Sequence, residues 1–248
     1  GPGDAAFVER PILNAPCGYS SRHRELDAQG QPTQKIAETR RRAEFITPIP
    51  KPRKRGASDQ ASLVFDEGKG LSTSAQQYAH TAIINAVRRE VDKWRALRSS
   101  NDWRVTPETA RLLQHWRHHA FSDIRPFFCQ VEAVETAIWL TEVAPQVGKT
   151  GERFIDHLAN ASRDANPELL RLALKLATGA GKTTVMAMLI AWQTDNAVRR
   201  PNSRTFTRGF FIPAPVLTIR DTLCLLPPNA PSRHYPDRDP LQVSMPGR

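Results

Sequence analysis

The stretch LLRLALKLATGAGKTTVMAMLIAWQ, Leu169 to Gln193, decides how the chain is read. Leucines at 170, 172, 174 and 176 alternate with Arg171, Ala173 and Lys175, the period of two expected of a strand with one buried face. After the glycines, Val185, Met186, Met188, Leu189, Ile190 and Trp192 make a helix too densely apolar for a surface, so burial between a sheet and its neighbours is expected. Strand, glycine loop and helix in that order are the parts of a phosphate site. Glycines let backbone N–H groups approach the phosphates, a lysine meets the β and γ oxygens, a hydroxyl holds Mg²⁺, and the helix N-terminus adds its dipole.

Thr178, Gly179, Ala180, Gly181, Lys182, Thr183 and Thr184 are therefore the candidate ATP-binding residues, with Thr183 as the Mg²⁺ ligand. The alternative is a glycine turn joining a strand to a core helix. An internal control exists in Gln146-Val147-Gly148-Lys149-Thr150-Gly151-Glu152, which repeats the Gly-Lys-Thr triplet. There Gln146 replaces the second glycine and Pro145 precedes it with no strand, so this copy is not expected to bind phosphate. Context, not the triplet, discriminates.

The general phosphate-loop pattern has glycine where this chain has Leu176. LATGAGKT resembles instead motif I of superfamily II helicases and translocases, as in the motor subunits of type I and type III restriction enzymes. Signal-recognition GTPases usually keep that glycine, so Leu176 argues against them. RPFFCQVEAVETAI, Arg125 to Ile138, resembles the segment before motif I in the same motors. By that resemblance Gln130 recognises adenine, because an amide donates and accepts at once, as the N6/N7 edge requires. A polar residue at an exposed helix start is the alternative. FTRGFFIPAPVLTIRDTL occupies the place of motif Ia, which contacts the nucleic-acid backbone; Thr218 and Arg220 are the candidate contacts, with Pro213 and a missing glutamine as departures.

The resemblance covers roughly half the chain, from Thr106 to Leu226. It implies an α/β fold: a partial RecA-like lobe, a parallel sheet with flanking helices, preceded by a helical and partly disordered basic leader. The expected organisation is a mostly disordered basic leader at 1–73, a helical segment at 74–122, the partial ATP-binding lobe at 123–226, and a Pro-rich disordered or truncated tail at 227–248. In the helical segment Ile84, Val87, Val91 and Trp94 recur three or four apart, predicting an amphipathic helix. Thr106-Pro107-Glu108 starts a second one, carrying Leu112, Leu113 and Trp116 on one face. A third helix should turn Val131, Val134 and Ile138 inward, and a short one should lie near 153–162.

Composition bounds the function. The 248 residues are 40% hydrophobic with 20 prolines, and a net charge of +10 suits a polyanionic partner, DNA first among them. Arg40, Arg41, Arg42, Lys51, Arg53, Lys54 and Arg55 form two basic clusters that read as a solvated linker, a phosphate-tracking arm or, most weakly, a localisation signal. Cys17, Cys129 and Cys224 are odd in number and far apart, which fits no disulfide framework and suits a reducing cytoplasm. No apolar run approaches the roughly 18 residues of a membrane span. A soluble cytoplasmic protein is expected.

Hydrolysis in this class needs an Asp-Glu pair ending a later strand. After Lys182 the acids are Asp195, Asp221, Asp237 and Asp239, none followed by glutamate; Asp66-Glu67 precedes the loop, in the wrong order. The chain is thus expected to be inactive alone, with ATP hydrolysis coupled to movement on DNA in the full-length restriction enzyme, which implies a methyltransferase or specificity subunit as partner. A non-catalytic basic nucleic-acid-binding module with a remnant loop is the alternative. A complete small phosphate-loop nucleoside triphosphatase of another class would need an acidic metal ligand that the chain does not show. His115 and His119 share a helix face, but Trp116 stands where a zinc peptidase has glutamate, so a basic helix end is favoured over zinc.

Overall fold

The computed structural model describes residues 12–28, 31–42, 80–121, 125–165, 168 and 170–212. The chain divides into two compact units, one up to Arg88 and one from Arg89.

In the first unit, strands β1 (His23–Leu26) and β2 (Pro32–Ala37) pair antiparallel, with His23 opposite Ala37 and Arg24 opposite Ile36. This hairpin lies where a mostly disordered leader was expected. Side chains secure it from within: Arg24 Nη1 donates to the Thr33 carbonyl at 3.2 Å, and the Asn14 amide both donates to and accepts from the Arg22 backbone. Such arginine-to-carbonyl bonds are invisible to a periodicity reading.

Helix α1 (His80–Arg95) crosses the boundary between the units. Its buried apolar positions are Ile83, Ala86, Val87, Val91 and Trp94, with Ile84 only half-buried, so the stripe begins one residue earlier than expected. A 3₁₀ turn, Ser100–Trp103, follows; it is fixed by two indoles, Trp94 Nε1 donating to the Trp103 carbonyl at 2.8 Å and Trp103 Nε1 to the Leu97 carbonyl at 3.0 Å. Helix α2 (Pro107–His118) starts as the sequence predicts, with Pro107 in the first turn and Thr106 Oγ1 accepting the Thr109 N–H at 3.1 Å. Leu112, Leu113 and Trp116 are fully buried.

Helix α3 (Phe128–Ile138) turns Val131, Val134 and Ile138 inward and runs directly into a π-helical turn, Trp139–Val143, and a 3₁₀ turn, Ala144–Gln146. Helix α4 (Lys149–Ala165) is longer than the expected 153–162, because Gly148, at φ 61°, restarts the chain into a helix at the triplet itself. Gly151 allows α4 to close on the 3₁₀ turn: a Cβ there would lie 1.8 Å from the Ala144 carbonyl oxygen and 2.8 Å from Val147 Cγ2. A backbone oxygen in a helical turn cannot step aside. Gly151→Ala is expected to destabilise the protein by at least about 1–3 kcal/mol, read as a lowered urea midpoint at unchanged slope. An unchanged midpoint would show that this contact gives way freely.

Helix α5 (Lys182–Arg199) packs against α3 and α2. Val185, Met188 and Trp192 are buried, spaced three and four apart, whereas Met186, Leu189 and Ile190 are half-buried. The full burial expected from the sequence is thus incomplete. The reason lies upstream. Residues 170–177 are not part of a sheet: Leu170 is 75% exposed and Leu172 45%, and no ladder partner is present among the described residues. A short strand is also read from the sequence at Arg208 to Pro215, but residues 208–212 are non-strand, with Phe211 exposed, and the remainder lies outside the described residues.

The expected parallel sheet is therefore not formed by the described residues. The architecture of the described residues is mixed α and β, with five α-helices and one two-stranded antiparallel sheet. A period-two pattern states what a strand would bury, but only a neighbour with free N–H and C=O groups makes it one. No described helix is long and apolar enough to cross a membrane.

Candidate functional site

The glycine loop lies between residues 170–177 and α5, with Thr178 and Gly179 exposed. Gly179 (φ 78°) and Gly181 (φ 72°) both occupy the left-handed region, which glycine adopts without steric penalty. A Cβ on Gly179 would meet nothing within 4 Å, so the outer side of the loop is open. Lys182 is the first residue of α5, and Thr183 and Thr184 complete its first turn, half-buried. The Thr184 N–H is taken by the Gly181 carbonyl at 3.0 Å, and the helix dipole places partial positive charge at the loop end of α5. The Lys182 ammonium folds back, donating from Nζ to the Ala177 carbonyl at 2.8 Å. Of the seven candidate residues, Thr178 to Ala180 form the turn, Gly181 caps the helix, and Lys182 to Thr184 open α5.

Gln130 lies on the other side. It is buried at the start of α3, where Oε1 accepts the Phe127 N–H at 2.9 Å while Nε2 donates to the Ala180 carbonyl at 2.9 Å. The structure therefore brings Gln130 and the loop together across 50 residues of sequence. It does so through the loop's backbone, a partner that no side-chain motif reveals. Beside it Cys129 is exposed, with its thiol pushed up from the ordinary value by partial burial.

The second Gly-Lys-Thr triplet is locally similar, a left-handed Gly148 followed by a lysine opening a helix. Its surroundings differ. A 3₁₀ turn precedes it, clamped by Arg104 Nη1 on the Gln146 carbonyl at 2.8 Å, and the Ala144 carbonyl covers the first turn of α4 at Gly151. A carbonyl oxygen there repels the anion that an open helix start attracts.

Two buried carboxyl groups, unremarked in the sequence reading, hold the helices that carry the loop. Glu135 on α3 is fully buried and accepts from Arg95 Nε and Arg117 Nε, each at 2.7 Å. Arg117 is stacked over Trp103 and Trp94, 4.6 and 5.1 Å from the ring centroids, and its buried Nη2 has no hydrogen-bond acceptor. The two guanidinium groups titrate in opposite directions. Burial opposes the charge on both, but at Arg95 the carboxylates of Glu135, Glu132 and Asp92 prevail and raise its pKa; at Arg117 burial and repulsion from Arg95 outweigh Glu135 and lower it. Glu142, in the π-helical turn, accepts from the Thr106 N–H at 2.8 Å and, through its other oxygen, from the Thr109 hydroxyl and Trp192 Nε1, both at 2.7 Å. Asn196 completes the network, donating to Thr109 Oγ1 at 2.9 Å. The signal for Glu135 was its place between Val134 and Ile138 on an inward face, where a solvated acid does not belong.

The remaining candidates are dispersed. Arg40 lies over the Tyr19 ring at 5.6 Å, and Arg41 and Arg42 are exposed beyond the hairpin. Lys51, Arg53, Lys54, Arg55, Thr218 and Arg220 lie outside the described residues, as do Asp66 and Glu67. The His115 and His119 rings stack at 4.5 Å and meet Phe121 edge-on. Among the described residues no group of three or more His, Cys, Asp or Glu could hold a metal ion.

No family model matches the chain, and no curated protein and no solved structure matches it.

Proposed function

We propose that this chain carries the ATP-binding loop of a DNA helicase or translocase of the restriction-endonuclease type, in whose full-length form ATP hydrolysis drives movement on DNA. The observation that carries the proposal is the loop itself. Two glycines are left-handed and one of them, Gly179, opens onto solvent; a lysine stands at the start of an 18-residue helix, and its ammonium already rests on the Ala177 carbonyl at the loop's edge. That arrangement suits a triphosphate: Gly179 to Thr184 wrap the phosphates, Lys182 neutralises the β and γ oxygens, and the helix dipole adds to both. Thr183 supplies one hydroxyl to magnesium. Magnesium would enter with the triphosphate, which provides oxygens to it beside that hydroxyl. In this reading residues 170–177 become a strand of a RecA-like parallel sheet when ladder partners flank them. DNA is the partner that the +10 charge favours, and a methyltransferase or specificity subunit belongs to the same system.

Titration calorimetry with Mg·ATP tests the reading. Lys182→Ala is expected to weaken binding at least tenfold, about 1.4 kcal/mol, without altering the helical circular dichroism. Equal binding by both proteins would sink the proposal. A second reading, a basic nucleic-acid-binding module with a remnant loop, is favoured by the Arg40–Tyr19 pair and exposed Arg41 and Arg42. It expects DNA affinity that falls steeply with salt and is indifferent to Lys182→Ala.

A further inference from the structure

Gln130 has both ends of its amide engaged inside the chain. Oε1 accepts the Phe127 N–H at 2.9 Å; Nε2 donates to the Ala180 carbonyl at 2.9 Å and lies 3.5 Å from the Gly181 carbonyl oxygen. The residue is only 6% exposed. Reading the N6/N7 edge of adenine requires one donor and one acceptor presented together to the base. Here the same two atoms face the backbone of α3 and of the loop.

The bond to Ala180 has a geometric consequence. A peptide unit is planar and trans, so the N–H of Gly181 points opposite to the C=O of Ala180. By drawing that carbonyl toward α3, Gln130 turns the Gly181 N–H to the other side of the loop. Gly181 is fitted to this contact, since a Cβ there would stand 2.2 Å from Gln130 Nε2. We propose that Gln130 is a positioning residue, a latch on the loop carbonyl that presents the Gly181 N–H to an anion, and that it does not select the base. The loop then takes nucleoside triphosphates with little distinction between adenine and guanine. This rests on reading 178–184 as a phosphate loop.

Two measurements on the whole chain decide it. In calorimetry, Mg·ATP and Mg·GTP are expected to bind the unaltered protein within about threefold of each other, and Gln130→Ala to weaken both by the same factor, on the order of tenfold. A tenfold or greater preference for ATP that Gln130→Ala abolishes would overturn the base claim. In hydrogen exchange without nucleotide, the Ala180, Thr184 and Val185 amides, which donate to the Ala177 and Gly181 carbonyls, are expected to exchange several-fold faster in Gln130→Ala. Unchanged exchange would overturn the latch. Gly181→Ala is the companion variant: it displaces the amide from the loop side while sparing the Phe127 contact, and should speed the same amides. Should the unaltered protein bind neither nucleotide, the phosphate-loop reading fails and takes the base claim with it; the exchange result still decides the latch by itself.

Discussion

Glu135→Ala is expected to cost about 3–5 kcal/mol of stability, enough to leave the second unit poorly folded at 37 °C. Glu135 is fully buried and holds two guanidinium groups, from α1 and α2, at 2.7 Å. Removing it does not delete an ion pair so much as strand its partners. Arg95 retains Asp92 and Glu132. Among the described residues Arg117 has no second carboxylate: it is 8% exposed, lies between two indoles and has one N–H group without an acceptor. The substitution therefore leaves a buried cation compensated only by ring faces, worth about 2 kcal/mol at best. Urea unfolding followed by tryptophan fluorescence reads this directly, since Trp94 and Trp103 enclose the Arg117 charge. Replacing the buried Glu135–Arg117 pair together, Glu135→Leu with Arg117→Met, should recover most of the loss, because apolar side chains of similar volume carry no desolvation cost there and Arg95 keeps Asp92 and Glu132. A single substitution costing under about 1 kcal/mol would show that the triad is solvated in solution and contributes as a surface pair does.

Glu142→Ala is the second large effect, expected at about 3–5 kcal/mol, and differs in kind. No cation is involved. The carboxyl group is the shared acceptor for three donors: the Thr106 N–H, the Thr109 hydroxyl and the Trp192 indole N–H. Each buried donor left without a partner costs about 1–3 kcal/mol, and the three are not additive because water can enter the space that the side chain vacates. The network joins the N-cap of α2, the π-helical turn and the middle of α5, so its loss should loosen the helix that carries Lys182. Thermal unfolding is expected to fall by several degrees, and amides of α5 beyond Trp192 to lose exchange protection before those of α3. Glu142→Gln is the sharper probe. It keeps an acceptor but sets an NH₂ group against one of the donors, so it should recover only part of the stability. Full recovery would mean that the second carboxyl oxygen is dispensable.

The local elements were legible where a residue acts on its own backbone. Thr106 and Pro107 start α2 because a hydroxyl and a fixed φ work within one turn, whatever surrounds them. Gly179, Gly181 and Lys182 form a loop and helix start for the same reason. Apolar spacing placed Val131, Val134 and Ile138 inward correctly, and missed the stripe of α1 by one residue because Ile83 and Ile84 are indistinguishable by hydropathy. The basic hairpin and the length of α4 escaped, the one held by arginine-to-carbonyl bonds and the other begun at a glycine that reads equally well as a turn.

The sequence by itself determined the presence of the helices, the cap of α2 and the order of parts around Lys182, since these depend on contacts within a few residues. Only the tertiary structure decided the rest. It left LRLALKLA without strand partners, drew Glu135 and Glu142 into the interior as acceptors, and set Gln130 against the Ala180 carbonyl. Each of these depends on groups far apart along the chain, and a residue's hydropathy or motif position carries no information about which distant backbone atom will meet it.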